Sequence, residues 1–340
     1  MSTTNRMTFT CSFLGASLLA LALASPGLAQ TAQTDQTDQS GSTDQSGSTD
    51  QSGPADKPGL ADFAAAEDPP AFDQPAQAVD AFKAALASND FDGLAKLLGL
   101  DAAKLRTQDG AMDTFNQMRE AAAKRVHVDD KPNLQILELG KQLWPLPFPL
   151  VKGDDGKWAF DTYAGIDEII DRRVGENEIE TVATLRALAD AQEEYMTLDR
   201  DGDGVLEYAQ KLISTPGTMD GLYWPEDQGD GESPAAEIPD ESEMANARDD
   251  EGYYGYRYRI LTGQGANIIG GKQDYLVNGN LTGGFAIVAW PVTYAETGVS
   301  TFLVNKDGIV YESDLGPETA AKVKAIVAFD PDDTWELAKD

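Results

Sequence analysis

The sequence predicts an α+β protein of two lobes, and three observations carry that prediction. After residue 70 the apolar residues fall at helical spacing, with Val79, Phe82 and Leu86 on one face and Met112, Phe115 and Met118 on another. The pattern then changes to short strands at Leu134–Leu139, Phe148–Lys152 and Lys157–Thr162, the last two joined by Gly153-Asp154-Asp155-Gly156, whose residues tolerate positive φ. The order repeats downstream, where a long helical stretch over 177–198 precedes strand-rich sequence. Helices followed by antiparallel strands give an N-terminal lobe at 70–175, and a long helix plus antiparallel sheet gives a C-terminal lobe at 176–340.

The chain opens with one basic residue, Arg6, an apolar run from Phe13 to Ala24 and the small-residue ending Gly27-Leu28-Ala29, which predicts a secretory signal peptide over 1–29. The run is shorter than the roughly 20 apolar residues a membrane span takes, so no stable insertion is expected after cleavage. The expected location is periplasmic or secreted. Residues 30–69 are dominated by Ser, Thr, Gln and Asp, with GSTDQS repeated at 41–46 and 47–52. So few apolar side chains cannot offset a backbone ordering cost of about 1–2 kcal/mol per residue, and a disordered tether is predicted.

Within the first lobe, Asp73 is the expected cap of a helix with Pro75 in its first turn, Phe91–Leu98 a second short helix, and a third is expected to end near Arg125. His127 is placed at that helix end, where the dipole favours a cation. A helical connector at 166–173 is expected to lead to the helix at 177–198, whose Val182, Leu185, Leu188 and Tyr195 share a face. Beyond it, residues 226–251 read as an acidic surface insertion. Tyr254, Tyr256, Tyr258 and Ile260 alternate with Gly255, Arg257 and Arg259 as a strand, and Phe285–Trp290, Val299–Val304 and Ile309–Glu312 continue the sheet. A helix over Pro317–Phe329 is expected to close the chain.

Composition excludes several function classes. With 26 Lys+Arg against 58 Asp+Glu the net charge is −32, which repels phosphates and anionic headgroups, so no nucleic-acid partner is expected. The single cysteine, Cys11, lies in the leader, and the single histidine, His127, rules out a multi-histidine metal centre. An envelope protein or polymer is the expected partner.

One stretch carries a chemical pattern. In DRDGDGVLEYAQ, Asp199, Asp201 and Asp203 occupy the first, third and fifth ligand positions of an EF-hand-like loop, and Gly204 makes the sharp turn. Val205 offers its backbone carbonyl, and Glu207 stands ninth. Gln210 stands where a bidentate glutamate closes the usual site, so the expected cofactor is calcium held at about 0.1 to 1 mM, in a loop joining two helices. The alternatives are a polar turn whose aspartates cap the following helix, or a magnesium or catalytic cation. Three tryptophans precede proline, at Trp144, Trp224 and Trp290, and read as rigid corners; the alternative is an aromatic groove for a peptide or glycan walled by Tyr223, Trp224 and the tyrosine face of 254–258. No nucleophile motif accompanies them, so the expected function is a non-catalytic binding or assembly module. The alternative is a carboxylate-dependent hydrolase of an envelope polymer using Glu207 or Asp220.

The strings WAFDTYAGIDEIIDRRVGENE, LRALADAQEEYMTLDRDGDGVLEYAQKLISTPGTMDGLYWP, GYYGYRYRIL and GGFAIVAWPVTYAETGVSTFLVNKDGIVYESDLG resemble the secreted bacterial proteins grouped as domain of unknown function 2950, over about residues 70 to 338. That resemblance implies export and an α+β fold, with no established activity. More loosely, the first lobe is similar in element order to the cone-shaped nuclear-transport-factor-like domains. The second is similar to the globular head of a type IV pilin or pseudopilin, without the pilin's apolar assembly helix.

Overall fold

The computed structural model describes residues 60–108, 110–200, 202–225, 227, 229, 231–238, 243 and 252–339. The leader and the repeats of the tether lie outside the described residues, as does most of the acidic insertion at 226–251. The protein is α+β, as its periodicities predict, and divides into two compact units between Ile169 and Ile170.

In the first unit order begins earlier than composition implies. Leu60–Phe63 forms a 3₁₀ turn with Leu60 and Phe63 buried, because these two apolar anchors sit at the end of an otherwise polar tether. Helix α1 (Pro75–Ala87) is capped one residue after the expected Asp73: Gln74 N donates to the Gln77 side chain at 3.1 Å, with Pro75 in the first turn. Helix α2 (Phe91–Leu97) is capped by Asp90, which accepts from Gly93 N at 2.8 Å. A short α3 (Ala102–Arg106) precedes α4 (Ala111–Lys124). Phe82 packs on Phe160 and Phe91 on Phe115, at centroid distances of 6.1 and 5.4 Å.

The sheet of this unit is antiparallel, in the order β1 (Val126–Lys131), β2 (Leu134–Leu139), β4 (Leu150–Lys152), β5 (Trp158–Phe160), with β3 (Trp144–Pro145) also on β2. His127 is therefore not at a helix end. It sits in β1 directly opposite Glu138, 4.0 Å from its carboxylate, because the hairpin through Asn133 recruits the segment after α4 into the sheet.

Helix α5 (Thr162–Tyr195) is one continuous element where a connector and a separate helix were expected. Gly165 and Gly175 do not break it; a glycine inside a helix costs only about 0.5–1 kcal/mol. At Gly165 the missing side chain is required, since a Cβ there would collide with the Phe148 ring.

In the second unit the apolar stripe of α5 shares a core with β13 (Ala286–Pro291) and β14 (Ser300–Asn305). These belong to an antiparallel sheet ordered β16 (Glu336–Leu337), β15 (Val310–Asp314), β14, β13, β8 (Tyr256–Leu261). Strand β8 starts later than its tyrosine alternation predicts, because Tyr254 lies at φ 49° in a tight turn that pairs Tyr253 with Tyr256. The closing helix shrinks to α6 (Thr319–Lys322) and one 3₁₀ turn, whose carbonyls at Val323 and Ile326 accept from Arg259. Phe329 instead pairs with Gln264 as an isolated bridge. The three Trp–Pro bonds are trans. Among the described residues no helix is long and apolar enough to cross a membrane.

Candidate functional site

Three residues separate the end of α5 from the carboxylate loop, which begins at Asp199. Arg200, its second residue, is pinned by stacking over the rings of Tyr195 and Trp224 at 5.1 and 5.4 Å. Asp199 accepts from Gly202 N at 2.8 Å and from Gly204 N at 2.9 Å. Those bonds require the left-handed φ of 79° and 88° at the two glycines, the conformation glycine adopts without strain. Asp203 accepts from Val205 N at 2.7 Å. The first half of the loop thus has the tight, carboxylate-centred turn that the spacing predicts.

The second half departs from it. No helix follows; the chain runs extended into β6 (Lys211–Ile213), which pairs in parallel with β7 (Gly221–Tyr223). Two distant elements cause this. The hairpin of β11 (Leu276–Val277) and β12 (Asn280–Leu281) takes Tyr208 N on Leu281 O, and the Glu207 carboxylate accepts from Leu281 N at 2.7 Å. Asn280 donates to Asp203 at 2.5 Å, and the Gln210 amide donates to Gly279 O at 2.8 Å.

Gln192, fully buried on α5, supplies the other constraint. Its side-chain oxygen accepts from Ala209 N at 2.8 Å and its nitrogen donates to Ala209 O at 2.9 Å. This glutamine escaped the sequence reading, although a polar residue interrupting the apolar stripe of Leu185, Leu188 and Tyr195 was its visible signal. Next to it, burial and then the hydrogen bond to Glu193 push the Tyr208 hydroxyl up to about 12.

Of the six expected ligands, Asp199, Asp203, Val205, Glu207 and Gln210 lie along this loop, while Asp201 lies outside the described residues. Among the described residues no three carboxylate, histidine or cysteine side chains are grouped as a metal site. Asp220 stands apart, accepting from Lys211 Nζ at 2.6 Å, Thr215 N at 2.7 Å and the hydroxyls of Thr215 and Thr218. Burial raises its carboxyl, but these four donors more than reverse that and hold it well below the usual carboxylate range.

The aromatic residues converge elsewhere in the unit. A cavity of about 330 Å³ is lined by Tyr223, Tyr253, Tyr256, Tyr258 and Trp290, with Arg257, Thr184 and aliphatic side chains from α5 and β6. Of the groove walls the sequence suggests, the fold brings Tyr223, Tyr256 and Tyr258 together; Tyr254 turns away at φ 49° and Tyr253 lines the cavity instead. Trp224 is not a wall. It is buried, and its indole donates to Gly231 O at 3.2 Å; Trp290 takes its place. Burial, above all, keeps the hydroxyls of Tyr256 and Tyr258 raised and protonated, with the Glu178 carboxylate adding to it at Tyr256.

Fold and site together define an α+β protein of two units whose second unit holds a carboxylate-rich loop and an aromatic cavity. The chain belongs to the family described as protein of unknown function, DUF2950, whose model matches residues 70–338. No curated protein and no solved structure matches it.

Proposed function

We propose that this chain is an exported, non-catalytic binding module of the cell envelope whose second unit is braced by calcium in the loop from Asp199 to Gln210. The observation that carries the reading is the stitching of that loop. Its carboxylates gather backbone N–H groups from the turn at Gly202 and Gly204 and reach across to Asn280 and Leu281. A hard cation there would neutralise clustered negative charge and lock the end of α5 to the β11–β12 hairpin. The leader pattern at 1–29 supports export.

The hydrolase alternative rests on Glu207 and Asp220. The Asp220 carboxylate is taken up in holding its own turn and Glu207 reaches to the β11–β12 hairpin, and Asp220 in particular is poorly matched to a proton-transfer role. The binding module is therefore the better reading.

Calorimetry of the full chain tests the brace. With a dissociation constant of about 0.1 to 1 mM, calcium at about 10 mM stabilises by about 1.4 to 2.7 kcal/mol. The melting temperature then rises by about 3 to 10 °C over a chelator-treated sample, and the rise disappears in Asp199→Asn. An unchanged melting temperature would sink the calcium reading.

A further inference from the structure

The cavity of the second unit contains two kinds of aromatic residue. Three tyrosines direct their hydroxyls to protein acceptors: Tyr253 to Ile238 O at 2.6 Å, Tyr256 to Ser300 O at 3.0 Å, and Tyr258 to Thr181 Oγ1 at 3.3 Å. These bonds fix the rings. A Cβ at Gly298 would collide with the Tyr256 ring, so the backbone itself is shaped around it. Tyr223 and Trp290 line the same cavity, and neither Tyr223 Oη nor Trp290 Nε1 has a hydrogen-bond partner among the described residues.

From this division we infer that the cavity is a saccharide site that takes a neutral pyranose ring, Tyr223 and Trp290 being its hydrogen-bonding residues. The inference rests on the binding-module reading above and names its ligand class. An occupant without polar atoms would bury two polar groups unpaired, at about 1–3 kcal/mol each. An occupant without an apolar face would leave the partly exposed rings of Tyr223, Tyr258 and Trp290 unmatched, Tyr256 itself being fully buried. A pyranose meets both demands. Its rim carries hydroxyl and ether oxygens, and its faces carry C–H groups whose partial positive charge suits the electron-rich face of an aromatic ring. The net charge of −32 turns away nucleotides and other phosphate-bearing ligands that would also stack. The cavity, about 330 Å³, is at the small end of ligand sites, which span about 300 to 1,000 Å³, so it suits the end of a saccharide rather than a long stretch of polymer.

Titration of the full chain with maltotriose, cellotriose and triacetylchitotriose, followed by tryptophan fluorescence and calorimetry, tests the inference. At least one probe is expected to saturate in the range of about 1 mM, as a small, partly polar cavity allows. Tyr223→Phe, which removes only the hydroxyl, and Trp290→Phe, which removes the indole N–H and keeps a ring, each weaken that binding about five- to tenfold with the melting temperature retained. No saturation by any of the three probes overturns the proposal. So does binding that both variants leave within twofold, and so does capture of an uncharged random peptide pool in place of the sugars. Each titration is run with calcium and with chelator. Loss of the calcium-dependent melting shift alone removes the brace and leaves the saccharide site standing, whereas absence of sugar binding in both arms removes the saccharide site alone.

Discussion

Each unit of the molecule encloses a cavity, and the two differ in kind. The void in the first unit, about 70 Å³, is walled by aliphatic and aromatic side chains such as Leu94, Phe115 and Ile169, with Thr114 its one polar residue. It offers a water molecule almost no hydrogen-bond partners, so it is a packing defect that stays dry. The cavity in the second unit is several times larger. Three of its tyrosine rings are held by their own hydroxyl bonds, while Tyr223 Oη and Trp290 Nε1 have no hydrogen-bond partner among the described residues. A cavity becomes a site when its walls are rigid and its polar groups are left for something else to satisfy. Volume alone does not make that distinction.

The largest expected effects come from removing the residue that supports each wall. Phe115→Ala enlarges the dry void and loses an edge-on contact with Phe91, costing about 3–5 kcal/mol in urea unfolding. Gln192→Ala removes no comparable volume, yet it strands the buried N–H and carbonyl of Ala209 and costs about 2–4 kcal/mol. Hydrogen exchange separates the two. Only Gln192→Ala should expose the amides of Tyr208 and Leu281, because only that residue holds the loop exit. Equal protection of those amides in both variants would show that Gln192 is ordinary core.

A smaller and more discriminating contrast deletes one cavity hydroxyl from each unit. Thr114→Val puts a methyl in place of the hydroxyl of a buried residue that lines an apolar void, and is expected to stabilise by about 0.5–1 kcal/mol, a rise of about 1–4 °C in melting temperature. Tyr223→Phe makes the same chemical change in the second unit and is expected to leave stability within about 0.5 kcal/mol while weakening saccharide binding. If Thr114→Val destabilises, its hydroxyl has a role in the first unit and the contrast between the cavities fails.

How much of this was legible beforehand depended on where each segment's partners lie in the chain. Strand β2 was readable at Leu134–Leu139, and α2 and α4 nearly so, because their periodicity is local. Strand β1 was hidden in Val126–Lys131, a polar, half-exposed segment whose identity comes from pairing with β2. Spacing alone revealed the turn at Asp199–Gly204, since its bonds close within five residues. The expected exit helix was lost to Gln192, 17 residues upstream, and to a hairpin more than 70 residues downstream, neither of which spacing can reveal. Tyr256 and Tyr258 were identifiable as a strand face, whereas Tyr253, in the turn before β8, was not. That Tyr223 and Trp290 meet them is a property of the β7, β8 and β13 arrangement, and no pattern in the chain encodes it.

The smallest expected effect concerns the pH dependence of the second unit, where Glu178 on α5 and Glu312 on β15 lie near each other. Glu178 is committed, accepting from Val299 N at 2.9 Å and Ser300 N at 2.8 Å. Burial, and then the charge of Glu178, raise the Glu312 carboxyl above its ordinary value. A carboxyl raised in the folded state contributes stability that is complete below its unfolded value, about 4.3, and is lost as pH rises through the folded one. At neutral pH, then, Glu312 is a mild liability. Asp220 has the opposite sign: held below the usual range, it contributes stability at neutral pH that is lost on strong acidification. Glu312→Gln is expected to raise stability at pH 7 by about 0.5 kcal/mol and to flatten the profile between pH 7 and 5, while leaving the acid limb below about pH 4 in place. Asp220→Asn does the reverse, lowering the neutral plateau and shortening the acid limb. Urea midpoints at pH 7, 5 and 3 resolve the two, and a Glu312→Gln variant with an unchanged slope from pH 7 to 5 would mean that neither burial nor Glu178 raises the Glu312 carboxyl in the fold.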